Sequence, residues 1–102
     1  MTARAIARIG DQATGTCLAH TSPRQFTATI TTGSDIVTCD GIGVARVGDT
    51  GTTDCGHTIQ ITEGSTLTTV LGIGVARVGD AVIVVEGGSG VITTGSAVGS
   101  TE

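Results

Sequence analysis

The sequence contains no Trp, Tyr or Lys, and only one Phe, one Pro and one Met. Without aromatic rings, 102 residues must build a core from Val, Ile, Ala and a little Leu, side chains that bury less area each. A domain this short buries only about 65% of its unfolded surface, so its core is thin to begin with. The longest apolar run, Ala81 to Val85, falls far short of the roughly 20 residues that a spanning helix needs. The five basic residues are all Arg and are spread along the chain. With no aromatic platform beside them, they make a poor nucleic-acid surface. Arg4 and Arg8 sit where a secretory signal would place its apolar region, so export by the general secretory route is not expected. Export by another machine stays open. Three Cys cannot complete a disulfide framework, and the redox compartment is left open.

What is abundant is Gly, Thr, Val and Ile. Gly occurs 17 times, about twice its usual share, while the lone Pro excludes a collagen-like or linker-like chain. Thr, Val and Ile are β-branched, which penalises helix and suits a pleated strand. Charged residues make up only 14%, too few for a disordered chain. No segment shows helical periodicity at helical length. The fold class is all-β.

Internal repetition is the main signal. Gly41-Ile-Gly-Val-Ala-Arg-Val-Gly-Asp49 recurs letter for letter as Gly72 to Asp80, and a weaker copy, Ala5-Ile-Ala-Arg-Ile-Gly-Asp11, opens the chain. A second phrase also occurs three times, as Ile30-Thr-Thr-Gly-Ser34, Ile61-Thr-Glu-Gly-Ser65 and Ile92-Thr-Thr-Gly-Ser96. The chain is therefore one domain, 1–102, of three units at approximately 1–37, 38–70 and 71–102, with extra residues between Gln12 and Thr29 in the first. Each unit reads as a strand (Ile36 to Cys39, Leu67 to Val70), a Gly turn, a second strand (Val44 to Val47, Val75 to Val78) and a Gly-Asp turn. A unit this small cannot bury its own apolar face. Closing three around a common axis with pseudo-threefold symmetry solves this and hides strand edges; an open solenoid would call for caps, and none is evident.

Two clusters carry chemistry. Cys17-Leu-Ala-His20 and Cys55-Gly-His57 follow the first and second Gly-Asp turns, each Cys six residues beyond the turn Asp. Cys17, His20, Cys55 and His57 form a Cys₂His₂ set suited to tetrahedral zinc. Residues two apart in an extended segment face the same way, so Cys55 and His57 can ligate together. The third unit has Val82 to Glu86 at that place and supplies no ligand. A closed four-ligand site stabilises a small fold and leaves no open position for catalysis. Asp11, Asp49 and Asp80 each follow Gly at a turn, three residues after Arg8, Arg46 and Arg77. Their expected role is structural Arg–Asp pairing. No nucleophile elbow, phosphate loop or helical His pair occurs, so no catalytic residue is expected and the protein reads as non-enzymatic.

The repeated Ala7-Arg8, Ala45-Arg46 and Ala76-Arg77, each followed by an apolar residue, Gly and Asp, resemble the PAAR-repeat family. The similarity spans essentially the whole chain. The motif's Pro is replaced by Ala5, Gly43 and Gly74, and its middle Ala by Ile6, Val44 and Val75. The resemblance implies a small, pointed, three-sided β prism or cone that caps the homotrimeric β-helical spike of a contractile injection machine, such as type VI secretion or a phage tail. One tip per trimer would dock through its base, since three similar faces match a homotrimer. A non-covalently attached effector and transient contact with a target membrane are further implied partners. So is a route from assembly in the bacterial cytoplasm to the tip of a virion or secreted particle. The resemblance also implies a structural metal near the apex, zinc or iron, usually held by three His and one Cys. This chain has only His20 and His57, which leaves Cys17 and Cys39 as rivals for one ligand position. Cys39 aligns with Val70, a strand of about seven residues or roughly 20 Å away from the post-Asp segments, and reads as a core residue. The other reading is a free-standing metal-binding or carbohydrate-binding β module.

Overall fold

The computed structural model of the protein describes residues 4–96 and 99–101. Residues 1–3, 97–98 and 102, which the repeat reading places in the first and third units, lie outside the described residues. Twelve short strands run in the order β1 (Arg4–Ala5), β2 (Gln12–Cys17), β3 (Arg24–Ile30), β4 (Thr38–Cys39), β5 (Ile42–Gly43), β6 (Thr50–Thr53), β7 (Thr58–Ile61), β8 (Thr69–Val70), β9 (Ile73–Gly74), β10 (Ala81–Val84), β11 (Gly88–Ile92) and β12 (Ser100–Thr101), with no helix among the described residues. Six of them close into an antiparallel barrel in the order β10-β11-β2-β3-β6-β7. The other six form three two-stranded ribbons, β4–β5, β8–β9 and β1–β12. The fold is all-β, and its main sheet has no free edge.

The strands differ from the sequence expectation in an instructive way. Val44 to Val47 and Val75 to Val78 are not strands; their β pairing is limited to single bridges, Ile6 with Arg77, Arg8 with Val44 and Arg46 with Val75. The segments after each Gly-Asp turn, to which the unit pattern assigned no strand, are the barrel strands β2, β6 and β10. The extra residues of the first unit, between Gln12 and Thr29, hold β2 and most of β3, the two longest strands. Apolar alternation could not show β6, whose inward residues are Gly51 and Thr53. A Cβ on Gly51 would overlap the backbone of Thr29 and Ile30, so this narrow barrel admits only Gly there.

Each repeated phrase has a defined physical task. Gly10, Gly48 and Gly79 adopt φ of 93°, 93° and 90°, the left-handed region that Gly enters without steric penalty. Their N–H groups donate to Ile30, Ile61 and Ile92 carbonyls at 2.8, 2.8 and 2.7 Å. The following Asp accepts from the backbone N–H and the guanidinium of the Arg three residues earlier, at each of the three turns. In the second phrase, the N–H groups of Ser34, Ser65 and Ser96 donate to Val44, Val75 and Ile6 carbonyls, all at 2.8 Å. The Ser34 hydroxyl oxygen also accepts from Ile36 and Val37 N–H, and the Ser65 oxygen from Leu67 and Thr68 N–H.

The units are joined in a cycle. Ala45 N–H donates to the Ala7 carbonyl, Ala76 N–H to Ala45 and Ala7 N–H to Ala76, at 2.9, 2.9 and 3.0 Å. All three Ala side chains are fully buried, which explains why the motif keeps its smallest apolar residue there. On one side of this ring lies the barrel core, with Ile30, Ile59, Ile61, Ile92, Val82 and Val84 around the lone Phe26. Each such Ile contributes roughly 1.5–3 kcal/mol by leaving water. On the other side the ribbons surround a small second core of Val44, Val70 and Val75. The third ribbon pairs β1 from one end of the chain with β12 from the other.

Asp80 is the most deeply buried of the turn carboxylates, at 0% exposure against 7% for Asp11 and Asp49. It pairs with Arg77 at 2.7 Å and also with Arg4 at 2.9 Å. Replacing Asp80 with Asn leaves two guanidinium groups without their anion and is expected to lower unfolding free energy by about 3 kcal/mol. Asp49→Asn, at a wetter site with one Arg, is expected to lose only about 1–2 kcal/mol. Chemical denaturation of both variants compares them; equal losses would refute the assigned difference in burial.

Candidate metal centre

The barrel end remote from the ribbons brings together the four expected ligands. β2 finishes at Cys17, and the loop beyond it carries His20. The β6–β7 connection carries Cys55, Gly56 at φ 86° and His57. That turn is held by Thr53 N–H donating to the His57 carbonyl at 2.8 Å and Asp54 N–H donating to Thr27 of β3 at 2.9 Å. Leu18 N–H donates to the Gly87 carbonyl at 2.9 Å, which ties the His20 loop to the β10–β11 turn.

The ligand atoms of Cys17, His20, Cys55 and His57 all lie within 4.8 Å of one another; Cys17 is buried and the other three are half-buried. His57 Nδ1 stands 3.4 Å from Cys17 Sγ and 3.6 Å from Cys55 Sγ. Donors placed 2.0–2.3 Å from a tetrahedral ion stand about 3.3–3.8 Å apart, so these spacings suit a shared ion. The His20 and His57 rings meet edge to face, with centroids 4.9 Å apart. His20 Nε2 is buried with no hydrogen-bond partner among the described residues. A buried nitrogen left in that state is costly, and a metal bond would satisfy it. Two thiolates also balance the charge of a divalent ion, which favours holding it in this partly buried place. The residues fit a metal ion.

Cys39 takes no part. It lies in the β4–β5 ribbon, half-buried at the edge of the second core rather than inside it, away from the four clustered residues. The third unit contributes no ligand: β10 ends in Val82, Ile83 and Val84, with Val82 and Val84 turned into the barrel core.

One contributing residue was not anticipated. Thr53 is 4% exposed; its hydroxyl oxygen accepts from His57 N–H at 2.8 Å and lies 3.2 Å from Cys55 Sγ. The alternation that grouped Cys55 with His57 extends back to Thr53, so the signal was present in the sequence. The Cys55 thiol is pushed down to about 6, chiefly by the Thr53 hydroxyl, then by His20 and His57, with Cys17 adding less and burial opposing. All of these groups favour the thiolate, the form that binds metal.

Compared with known proteins, the chain matches no family model and no curated sequence.

In metal-free, reduced protein, the Cys55 thiolate is expected to dominate above about pH 6. Alkylation by iodoacetamide, followed by peptide mass spectrometry, should therefore show Cys55 reactivity rising with a midpoint near that pH. The sign for stability follows from a pKa depressed by folding. Cys55 favours the folded state fully above its unfolded value, and that contribution disappears as pH falls through about 6. A Cys55 midpoint at 8 or above would contradict the described surroundings.

Proposed function

We propose that the protein is the non-enzymatic tip of a trimeric β-helical spike, docking by its ribbon end and stiffened at its free end by a structural zinc ion. In this reading the molecule is a tapering three-sided prism, assembled in the bacterial cytoplasm and carried on a contractile particle to a target membrane. One observation carries it: the three motif copies bond in a closed cycle, with the Cys/His group at one end and three two-stranded ribbons at the other.

Ile36, Leu67 and Leu71 are 71%, 70% and 78% exposed, all on or beside the ribbons. Ile36 and Leu67 hold equivalent places in two units, 31 residues apart, so a partner made of repeated subunits would meet a similar side chain at each. Each ribbon is two-stranded and so offers backbone for strand-edge pairing with a partner. A homotrimer presents three equivalent subunits, which suits a chain whose contacts recur three times. At the opposite end the barrel is narrow, and metal coordination supplies folding free energy where little apolar area can. Zinc is favoured by two thiolates and two imidazoles in a tetrahedral arrangement.

Leu71 sharpens the docking assignment. It occupies the first turn position of the β8–β9 hairpin at φ 52°, and Asp40 holds the matching position of β4–β5 at φ 58°. A left-handed conformation costs a Leu about 1 kcal/mol, while Asp tolerates it better and here also binds Arg8 at 2.8 Å and Ser96 at 2.6 Å. Leu71 gives up those bonds and points an apolar side chain outward.

Protein purified without added zinc is expected to contain about one zinc per chain, and elemental analysis showing no transition metal would remove the metal from the proposal. Mixed with its cognate trimeric spike, the tip is expected to form a complex of one chain per trimer by light scattering. A chain that stays monomeric beside that trimer would favour a free-standing β module. Leu71→Asp is expected to unfold later, by about 1 kcal/mol, while binding the trimer at least about tenfold more weakly. A variant that docks as tightly as the parent would exclude Leu71 from the contact.

A further inference from the structure

We propose that Thr53 is a positioning residue of the metal centre: its hydroxyl donates a hydrogen bond to the Cys55 sulfur and thereby sets that thiolate's direction and donor strength. The proposal rests on the metal reading of the Cys17, His20, Cys55 and His57 cluster. It goes beyond that reading by making the two sulfurs inequivalent.

The geometry fixes how the hydroxyl is used. Thr53 ends β6, inside the barrel wall, at 4% exposure. Its oxygen accepts from His57 N–H at 2.8 Å. The single hydroxyl proton is then free to point elsewhere, and Cys55 Sγ stands 3.2 Å away. A metal-bound thiolate has no proton of its own, so metal binding leaves only one direction for this bond, from oxygen to sulfur. One side chain thus holds both ligands of the β6–β7 turn, His57 through its backbone and Cys55 through its sulfur. The β-branch of Thr restricts its first side-chain torsion, which keeps the oxygen in place between them.

The repeat supplies an internal comparison. In 31-residue register Thr53 corresponds to Val84, and with the 38-residue spacing of the first unit it corresponds to Gly15. Val84 precedes a turn without ligands. Gly15 precedes Cys17 by the same two residues that separate Thr53 from Cys55, yet it has no side chain to offer. Gly15 pairs with Gly90 across β2 and β11, and a Cβ there would overlap the Ser89 carbonyl oxygen. The first unit therefore has no space for a hydroxyl beneath its Cys, and the second unit has both the space and the hydroxyl. Cys55 becomes the hydrogen-bonded, weaker-donating sulfur and Cys17 the stronger donor. Outer-shell partners of this kind set ligand orientation and commonly change metal affinity by about 10–100-fold.

The test compares wild type with Thr53→Val, which keeps the shape and removes the hydroxyl, and Thr53→Ser, which keeps the hydroxyl. Zinc affinity is read by competition with a chromogenic chelator, and the sulfur environment by the sulfur-to-cobalt charge-transfer absorption of the cobalt-loaded protein. Thr53→Val is expected to bind zinc about 10–100-fold more weakly, because losing the anchor on both the His57 N–H and Cys55 Sγ outweighs the stronger donation of an unbonded sulfur. It should also move one component of that absorption to longer wavelength, because the Cys55 lone pairs lose a stabilising proton. Thr53→Ser is expected to restore the absorption and most of the affinity. Wild-type affinity and an unmoved absorption in Thr53→Val would overturn the proposal. Equal weakening in Val and Ser variants with an unmoved absorption would also overturn it, since packing alone would then explain the loss. If Thr53→Val does not fold, Thr53→Ala set against Thr53→Ser makes the same comparison. A wild type that takes up neither zinc nor cobalt would refute the metal reading itself, and this proposal with it.

Discussion

Three backbone hydrogen bonds, from Ala45 to Ala7, Ala76 to Ala45 and Ala7 to Ala76, hold the rest of the molecule in register. They form a cycle, so no unit is terminal and none exposes the backbone groups by which it binds the next. Each unit is too short to nucleate a sheet by itself, and sheets of two or three short strands are marginal in water. Closing the cycle converts three marginal pieces into one barrel without an edge. The requirement at the axis is steric. Three segments can crowd around one point only if the side chain there is very small, and Ala is found at all three places with no exposure.

Around that ring the Arg–Asp pairs act as clamps. Each Asp satisfies the N–H and guanidinium of the Arg three residues before it, so the reversal of the chain is held by charge-assisted bonds. The three clamps are not equal. Asp11 and Asp49 each accept a Thr hydroxyl, from Thr94 and Thr32 respectively. Asp80 accepts a second guanidinium, that of Arg4, and is the most buried. The carboxylate with two guanidinium partners therefore sits where β1 and β12 pair. Closing a cycle from an open chain leaves one seam, and this is where the additional ion pair is found.

Symmetry is broken again at the two ends. At the barrel mouth, two units supply Cys and His while the third supplies only Val. Four clustered side chains cannot be shared equally by three units, so this group departs from the repetition. At the ribbon end, Asp40 folds back on Arg8 and Ser96 whereas Leu71 faces outward. The first arrangement stabilises the chain internally. The second leaves apolar surface for the proposed partner.

Much of this was legible in the residues. Repetition marked three similar segments, β-branched composition marked strands, and the spacing of Cys17, His20, Cys55 and His57 marked residues that the fold brings together. The Arg–Asp pairing could be read from a three-residue offset at a turn. Strand positions were less legible, because β6 buries Gly51 and Thr53 where an apolar alternation would be sought. Thr is as much a strand former as Val, but its hydroxyl hides it from a hydrophobic pattern.

Local chemistry and repeat number are properties of the chain itself, and the sequence determined them: which residues turn, which pair at three positions' distance, which can bind metal. Only the tertiary structure decided which segments became barrel wall and that the two chain ends join to make the third ribbon. It also decided that Thr53 lies against Cys55 while Cys39 lies away from the four clustered residues. These depend on contacts between residues far apart in the chain, and such contacts exist only once the cycle has closed.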